Sequence, residues 1–240
     1  MVVASSNLAG ASFDNILAMK FICIGGICLG AIILKHIKDE NYKELKTPIN
    51  NVSLNGGFLN SHKLFDGTFE KEILGETPNV VHKILEGNKF PSQWFSETYT
   101  FPHTDFNKED TLQKLRQRFD TLKGFIESPD DDYWFLYSLH KSDVNLTEDE
   151  IKGQLNILSK YIDVSRIIFL GGERYEGLKS TLCGYNVANN KFKNRNENFR
   201  KVVGDRYFIV SPSNVYDLAA LDFVDQFEKF NRCNSGSVSS

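Results

Sequence analysis

Short runs of apolar residues alternate along this chain with longer segments whose apolar residues recur every three or four positions. The short runs cover residues 21–24, 133–139, 166–170 and 207–210, and each predicts a buried strand. Strands that are apolar on both faces are typical of a parallel sheet covered by helices. The pattern therefore predicts an α/β fold with a mainly parallel sheet flanked by helices.

The segments with helical spacing supply the helices that would cover this sheet. Asp105 or Asn107 is a candidate cap for the predicted helix at residues 112–126. Thr147 with Glu150 forms a capping box at the start of the predicted helix at residues 147–162. Predicted helices cover residues 27–37, 69–74, 80–85, 112–126, 147–162 and 215–230.

The remaining segments have weaker patterns. Residues 94–101 alternate apolar and polar side chains, which predicts a strand or an extended aromatic segment. Residues 38–65 are predicted to be rich in loops. Residues 19–233 form a single predicted domain, because neither a linker nor an internal repeat divides them.

Both ends of the chain differ from the predicted domain. Residues 1–18 are polar and rich in small side chains, which predicts a disordered or non-native extension, with Met19 as the natural start. Residues 234–240 are rich in Ser and Gly, which predicts a disordered tail.

Charge and cysteine content exclude several classes of protein. The net charge is −3, and basic residues are mixed with acidic ones along the whole chain. A nucleic-acid-binding protein normally carries a basic patch, so nucleic acid is not an expected partner.

The four cysteines form no CxxC pair and no Cys/His cluster with zinc-ligand spacing, so no metal and no cofactor are expected. Their low density predicts a reduced, cytoplasmic setting.

Residues 21–34 carry no charged side chain, so a location at a membrane is an alternative to the cytoplasm. A membrane-spanning helix needs roughly 20 apolar residues, whereas a run of about 10–14 is more typical of a buried core element. Gly25 and Gly26 divide the run, which favours a strand, a turn and a helix. The alternative is a membrane-anchored protein with residues 16–34 as the anchor.

Cys28 is the first candidate for chemistry, because it lies where the predicted turn at Gly25 and Gly26 meets a predicted helix. Unpaired N–H groups and the helix macrodipole favour negative charge in the first helical turn. A thiol there has its pKa below the ordinary value of about 8.5 and is more nucleophilic at neutral pH. The two glycines would let a substrate come close, and nearby backbone N–H groups would stabilise an oxyanion. The competing interpretation is a buried core cysteine.

A thiolate nucleophile needs an imidazole within hydrogen-bond reach and a third group that orients the ring. Two histidines follow predicted strands. His103 follows the aromatic segment, with Asp105 two residues later, and His140 follows the run at 133–139, with Asp143 just beyond. Because catalytic groups of open α/β sheets gather at the carboxyl ends of strands, both histidines are candidates for the base.

Several short motifs follow one another over residues 19–143: FICIGGIC, Thr47-Pro48, LFDGTF, FPHTDF, and RQRF before YWFLYSL. This order resembles a family of bacterial and large-DNA-virus proteins identified as papain-like cysteine peptidases. The resemblance implies a nucleophile at Cys28, a base at His103, and a papain-like α+β fold as the alternative to the α/β class. Where the family has an aspartate in a Pro-Phe-Asp turn, this chain has Asn50, which can still orient an imidazole. The chain also has an additional residue, Thr104, between His103 and Asp105.

These observations predict a cysteine-dependent hydrolase that acts on a peptide or another acyl compound. Cys28 would attack the acyl group, His103 or His140 would act as base, and Asn50 or Asp105 would orient the ring. A non-catalytic α/β binding module is the second possibility; its glycine turn would hold a small anionic ligand. The membrane-anchored protein is the third.

Overall fold

The computed structural model describes residues 19–25, 29–48, 52–87, 91–129, 132–172, 197–210 and 216–235. The strands in these ranges are β1 (Met19–Gly25), β2 (Tyr42–Leu45), β3 (Ser53–Leu54), β4 (Val81–Ile84), β5 (Ser92–Phe95), β6 (Tyr99–Phe101), β7 (Tyr133–Ser138), β8 (Ile167–Gly172) and β9 (Tyr207–Val210). The α-helices are α1 (Leu29–His36), α2 (Thr68–Ile73), α3 (Thr111–Glu127), α4 (Glu148–Leu158), α5 (Glu197–Val203) and α6 (Tyr216–Ser235). Short 3₁₀ helices cover Gly57–Leu64, Lys141–Asn145, Val164–Arg166 and Gly204–Arg206.

Five strands form the main sheet, in the order β2-β1-β7-β8-β9, and every pair in it is parallel. Each central strand is buried on both faces, because alternate side chains enter different hydrophobic clusters. In β1, for example, Ile22 and Ile24 belong to one cluster, and Phe21 and Cys23 belong to the other. The mixed α/β class predicted from the short apolar runs is therefore confirmed.

The two faces of the main sheet are covered differently. Helices α1 and α6 cover the first face, where Phe21 of β1 packs edge-on against Phe223 and Phe227 of α6. The second face packs against helices α3, α4 and α5 and against the 3₁₀ helix Gly57–Leu64. There Phe58 contacts the rings of both Tyr137 and Phe169.

A second sheet lies in the long connection between β2 and β7. It is antiparallel, with the order β3-β6-β5-β4. Its buried Tyr99 and Phe101 belong to the same hydrophobic cluster as Phe135 and Tyr137 of β7, so the two sheets share one core. Strands alternate with helices in the main sheet, which departs from the segregated helices and strands of the α+β alternative.

The structure corrects several local predictions in this connection. The predicted helix at residues 80–85 is wrong, because Val81–Ile84 form β4 and pair with β5. Residues 94–101 contain the end of β5 and all of β6 rather than one strand. The segment 38–65, predicted as loop-rich, contains β2, β3 and a 3₁₀ helix.

Helix boundaries also need two corrections. Helix α3 begins after Asp110, which makes no side-chain capping hydrogen bond, so Asp105 and Asn107 are not its caps. Helix α6 continues to Ser235, so the predicted tail begins two residues inside this helix. By contrast, the capping box of Thr147 and Glu150 is confirmed at the start of α4. Residues 1–18 and 236–240 lie outside the described residues.

None of the helices in the described ranges combines the length and the apolar character required to cross a membrane. Within the proposed anchor segment, Met19–Gly25 is a strand of the main sheet and Leu29–His36 is a helix packed against it.

Candidate functional site

The carboxyl ends of β1 and β7 form the topological switch point of the main sheet. The chain passes from β1 to β2 on one side and later returns to the other side of β1 to form β7. In open α/β sheets, ligands bind in the crevice that such a reversal leaves beyond the strand ends. We call the described residues Gly25, Ser138 and His140, which end or follow these two strands, the switch-point edge.

Gly25 ends β1 at an irregularity of the sheet. Cys23 pairs with Leu136 and Gly25 pairs with Tyr137, so Ile24 is an additional residue that forms a bulge. The φ angle of Gly25 is +135°, and a Cβ atom there would overlap with the Leu54 side chain. This position therefore requires glycine.

The beginning of α1 is held tightly against β7. The Gly30 N–H donates to Ser138 Oγ over 3.0 Å, and Ser138 is buried. Because Gly30 has no side chain, the helix comes so close that a Cβ there would lie 3.1 Å from Cys23 Sγ. Thr47, which follows β2, donates to the Cys23 carbonyl oxygen over 2.9 Å. The first turn of α1 therefore has a fixed position beside the switch-point edge.

The described cysteines differ sharply in accessibility. Cys23 is buried in the first-face cluster, and burial raises the pKa of its thiol far above the ordinary value, so Cys23 is an inert core residue. Cys233 is exposed. Cys28 lies outside the described residues, and so do Cys183, Gly26 and Asn50.

His140 is half-buried at the end of β7 and caps the 3₁₀ helix Lys141–Asn145. The Ser142 backbone N–H donates to His140 Nδ1 over 3.3 Å, and Ser142 Oγ lies 2.8 Å from the same nitrogen. The His140 backbone N–H donates in turn to Asp143 Oδ2 over 2.7 Å. Ser142 therefore holds the imidazole ring, whereas Asp143 binds the backbone of His140.

The Asp143 carboxylate is only 1% exposed and accepts four hydrogen bonds. Phe58 N–H and Ser142 Oγ donate to Oδ1, over 2.7 Å and 3.4 Å. Tyr137 Oη and His140 N–H donate to Oδ2, over 2.9 Å and 2.7 Å. Burial raises the pKa of Asp143, while these hydrogen bonds act in the opposite direction. Asp143 thus joins β7 to the 3₁₀ helix that contains Phe58.

His103 and Asp105 occupy the exposed loop between β6 and α3. Asp105 Oδ1 accepts a hydrogen bond from Asn107 N–H over 3.0 Å, which forms a local turn. Phe106 packs against Phe101 of the second sheet, with ring centroids 5.0 Å apart. The structure therefore brings Gly25 and His140 to one edge of the main sheet, whereas His103 and Asp105 lie in the loop that follows the second sheet.

The polar and glycine residues that organise this edge could not be identified from the sequence. Ser138, Ser142, Tyr137 and Gly57 have no periodicity that separates them from other residues of their type. Gly57 approaches Asp143 across 86 positions of sequence, so only the folded chain reveals the contact. The one available signal was the SLHKSD segment, which places two serines and an aspartate around His140.

No family model matches this sequence, and no curated protein and no solved structure matches it either. The resemblance to papain-like cysteine peptidases stays a prediction, and any assignment of function depends on the switch-point edge itself. Within the described residues, no group of three or more His, Cys, Asp and Glu side chains is arranged to hold a metal ion.

Proposed function

We propose that this protein is a cysteine-dependent hydrolase with Cys28 as its nucleophile and the switch-point edge as its site. One observation carries the proposal: the chain leaves β1 at Gly25 and enters α1 at Leu29, beside the carboxyl end of β7. Cys28 is the residue immediately before Leu29. The positive end of the α1 macrodipole would stabilise a thiolate there.

His140 is the base that this proposal favours. Gly25 pairs with Tyr137 across the two parallel strands, and Cys28 and His140 each follow their strand partner by three residues. Parallel strands deliver their following residues to the same edge of a sheet. His103, in the loop after β6, is the alternative base.

The proposed reaction is nucleophilic acyl transfer to water. The Cys28 thiolate attacks the carbonyl carbon of a peptide or another acyl compound, and the backbone N–H groups of residues 26–28 stabilise the oxyanion. His140 carries the thiol proton to the leaving group, and water then releases the acyl group from sulfur.

The first test is the pH dependence of iodoacetamide labelling at each cysteine of the full chain, read by peptide mass spectrometry. Buried Cys23 is the internal control for an inaccessible thiol, and Cys233 is the control for an exposed one. We expect Cys28 to react faster than Cys233 at neutral pH, with an apparent pKa clearly below about 8.5. Labelling of Cys28 only after unfolding would overturn the proposal.

A second test separates catalysis from structure. The variant Cys28→Ala should lose hydrolysis of a thioester or activated ester probe while its melting temperature stays within a few degrees of the parent value. Cys233→Ala is the matched control and should leave both quantities unchanged. Equal hydrolysis by the parent and Cys28→Ala would contradict a nucleophilic role.

The second candidate function is a binding module without catalysis. It is favoured by the hydrogen bonds beside the switch-point edge. His140 Nδ1 already accepts a hydrogen bond from Ser142, and the Asp143 carboxylate already accepts four. In this case the glycine turn binds a small anion. Saturable binding of phosphate or acetate in calorimetry, unchanged in Cys28→Ala and accompanied by an unreactive Cys28, would favour this function over hydrolysis.

A further inference from the structure

Strand β4 is an edge strand of the second sheet, where β5 is its neighbour on the inner side. All four residues of β4 are exposed, and two of them are apolar. Val81 is 57% exposed, and Ile84 is 72% exposed. An exposed edge presents a row of backbone N–H and C=O groups to which another strand can be added. Strand β4 therefore combines an accessible edge with apolar side chains on it.

The hydrogen bonds of the β4–β5 pair define which backbone groups of β4 point outward. The Leu85 N–H, just after β4, donates to the Pro91 carbonyl oxygen over 2.7 Å. In an antiparallel pair, residues that bond to the neighbouring strand alternate with residues whose N–H and C=O groups point away from it. Two positions before Leu85, Lys83 therefore bonds to β5. The backbone groups of its two neighbours, His82 and Ile84, point outward.

Strand β9, at an edge of the main sheet, shows how this chain covers a strand edge with its own side chain. The Ile209 N–H donates to Gln226 Oε1 over 2.9 Å, and Gln226 Nε2 donates to the Ile209 carbonyl oxygen over 2.7 Å. Gln226 of α6 thus takes the place of a further strand. Among the described residues, no side chain makes such a pair of hydrogen bonds with the outward groups of β4.

The charge of Lys83 selects the kind of strand that fits this edge. Strands β4 and β5 contain no acidic residue, and Lys83 Nζ lies 5.4 Å from the centroid of the Phe95 ring. In antiparallel addition, the residue opposite Lys83 forms the closer, non-hydrogen-bonded kind of pair. If two copies of the chain paired through both His82 and Ile84, symmetry would place their Lys83 side chains opposite each other. Like charges there are destabilising, whereas an acidic side chain would form a cross-strand ion pair.

We propose that β4 is a docking edge for an extended acidic segment of another protein, which adds an antiparallel strand to the second sheet. The segment carries an acidic side chain opposite Lys83 and apolar side chains opposite Val81 and Ile84. Its backbone bonds to His82 and Ile84, which supplies affinity, and the acidic side chain supplies selectivity. This inference does not depend on the proposed hydrolase.

The probe is the peptide acetyl-Thr-Val-Glu-Thr-Val-Thr-amide, whose Val-Glu-Thr-Val core matches β4 in the antiparallel register. The comparison peptide has Lys in place of Glu. Each is titrated into the ¹⁵N-labelled full-length protein. We expect saturable amide shifts and slower hydrogen exchange at His82 and Ile84, and little change in exchange at Lys83, whose N–H already bonds to β5. The Glu peptide should bind about threefold more tightly than the Lys peptide.

A charge reversal tests the register. Lys83→Glu should reverse the preference between the two peptides. Lys71→Glu is the matched control, because it makes the same change of net charge at an exposed residue of α2, and it should leave the preference unchanged. Equal affinity for both peptides, or no saturable shifts at His82 and Ile84, would overturn the inference. Shifts at these amides that follow protein concentration without peptide would also overturn it, because the edge would then pair with a second copy.

Discussion

Gly57 is the residue on which the packing around Asp143 depends. Its φ angle is +63°, and a Cβ atom there would overlap with both Asp143 Oδ1 and Ser142 Oγ. Gly67 is a suitable comparison, because its φ angle is +89° but no atom lies within 4 Å of an added Cβ. Both positions therefore have a positive φ angle, and they differ in the space available for a side chain.

We expect Gly57→Ala to lower the free energy of unfolding much more than Gly67→Ala does. Gly67→Ala should cost about 1 kcal/mol, the usual strain of a left-handed conformation. Gly57→Ala should cost about 2 kcal/mol more, because the displaced carboxylate leaves buried donors unpaired. Urea denaturation of the two variants gives the difference. Equal costs would show that Gly57 does not pack against Asp143.

Asp143 also predicts a dependence of stability on pH. Burial raises its pKa above the ordinary value of 3.8, so the folded chain holds the proton more tightly than the unfolded chain does. The stabilising contribution is then full below the unfolded pKa, and it is lost as the pH rises through the folded pKa.

The variant Asp143→Asn isolates this contribution, because residue 143 no longer titrates. The stability of the parent protein relative to the variant should be greatest at about pH 4 and below, and should decline toward neutral pH. Urea denaturation of both proteins across this range supplies the comparison. A relative stability that increases with pH would mean that the four hydrogen bonds outweigh burial and lower the Asp143 pKa.

Helix α1 depends on a close approach to the sheet. An added Cβ on Gly30 would lie 3.1 Å from Cys23 Sγ and 3.3 Å from Ser138 Oγ, both buried. Gly124 in α3 offers the opposite case, with no atom within 4 Å. Alanine favours a helix over glycine by about 1 kcal/mol at either site, so any difference between the two variants reports packing.

We expect Gly124→Ala to stabilise the protein by up to about 1 kcal/mol, and Gly30→Ala to destabilise it by about 1–3 kcal/mol through overpacking. Thermal and urea unfolding give both values. The cost of Gly30→Ala should be smaller in a Cys23→Ala background, since that change removes the nearest atom. Equal stabilisation by both glycine substitutions would contradict the close packing of α1.

Elements with a strong local signal were predictable from the sequence, and elements defined by pairing were not. The run at 133–139 is apolar on both faces and was correctly predicted as a strand. Residues 80–85 were predicted as a helix because Val80, Val81, Ile84 and Leu85 fit helical spacing. In the structure Val81 is 57% exposed and Ile84 is 72% exposed, so their apolar character does not report burial. Pairing with β5 determines β4 instead.

The candidate site, too, was predictable only where a local sequence pattern marks it. The position of His140 after a buried strand was visible in the sequence, because strand ends can be read from apolar runs. The contact of Phe58 with Asp143 joins residues 85 positions apart, and no local pattern encodes it. The role of Ser142 likewise depends on a turn geometry that the SLHKSD segment alone does not specify.

For the whole molecule, the shared core predicts that the two sheets unfold together. Phe69, Tyr99 and Phe119, from the long connection between β2 and β7, belong to one cluster with Phe135 and Tyr137 of the main sheet. Asp143 adds a buried hydrogen bond between the two parts. Neither part can therefore lose its structure without exposing the core of the other.

The two tryptophans of the chain report the two sheets separately. Trp94 lies in β5 beside Phe106, and Trp134 lies in β7 beside Phe230. In Trp134→Phe only the second sheet contributes tryptophan fluorescence, and in Trp94→Phe only the main sheet does. Within each variant, we expect the urea midpoint from fluorescence to coincide with the midpoint from far-ultraviolet circular dichroism.

Comparing two probes within one variant removes the effect of the substitution on stability, because both probes then report the same protein. A fluorescence midpoint for Trp94 below that of circular dichroism would mean that the second sheet unfolds first and that residues 19–233 are not one cooperative unit. Coincident midpoints in both variants would mean that the Asp143 contacts persist until global unfolding. A substitution at Gly57 would then shift the Trp94 and Trp134 fluorescence midpoints together. If the two sheets were independent units, the substitution would shift only one of these midpoints.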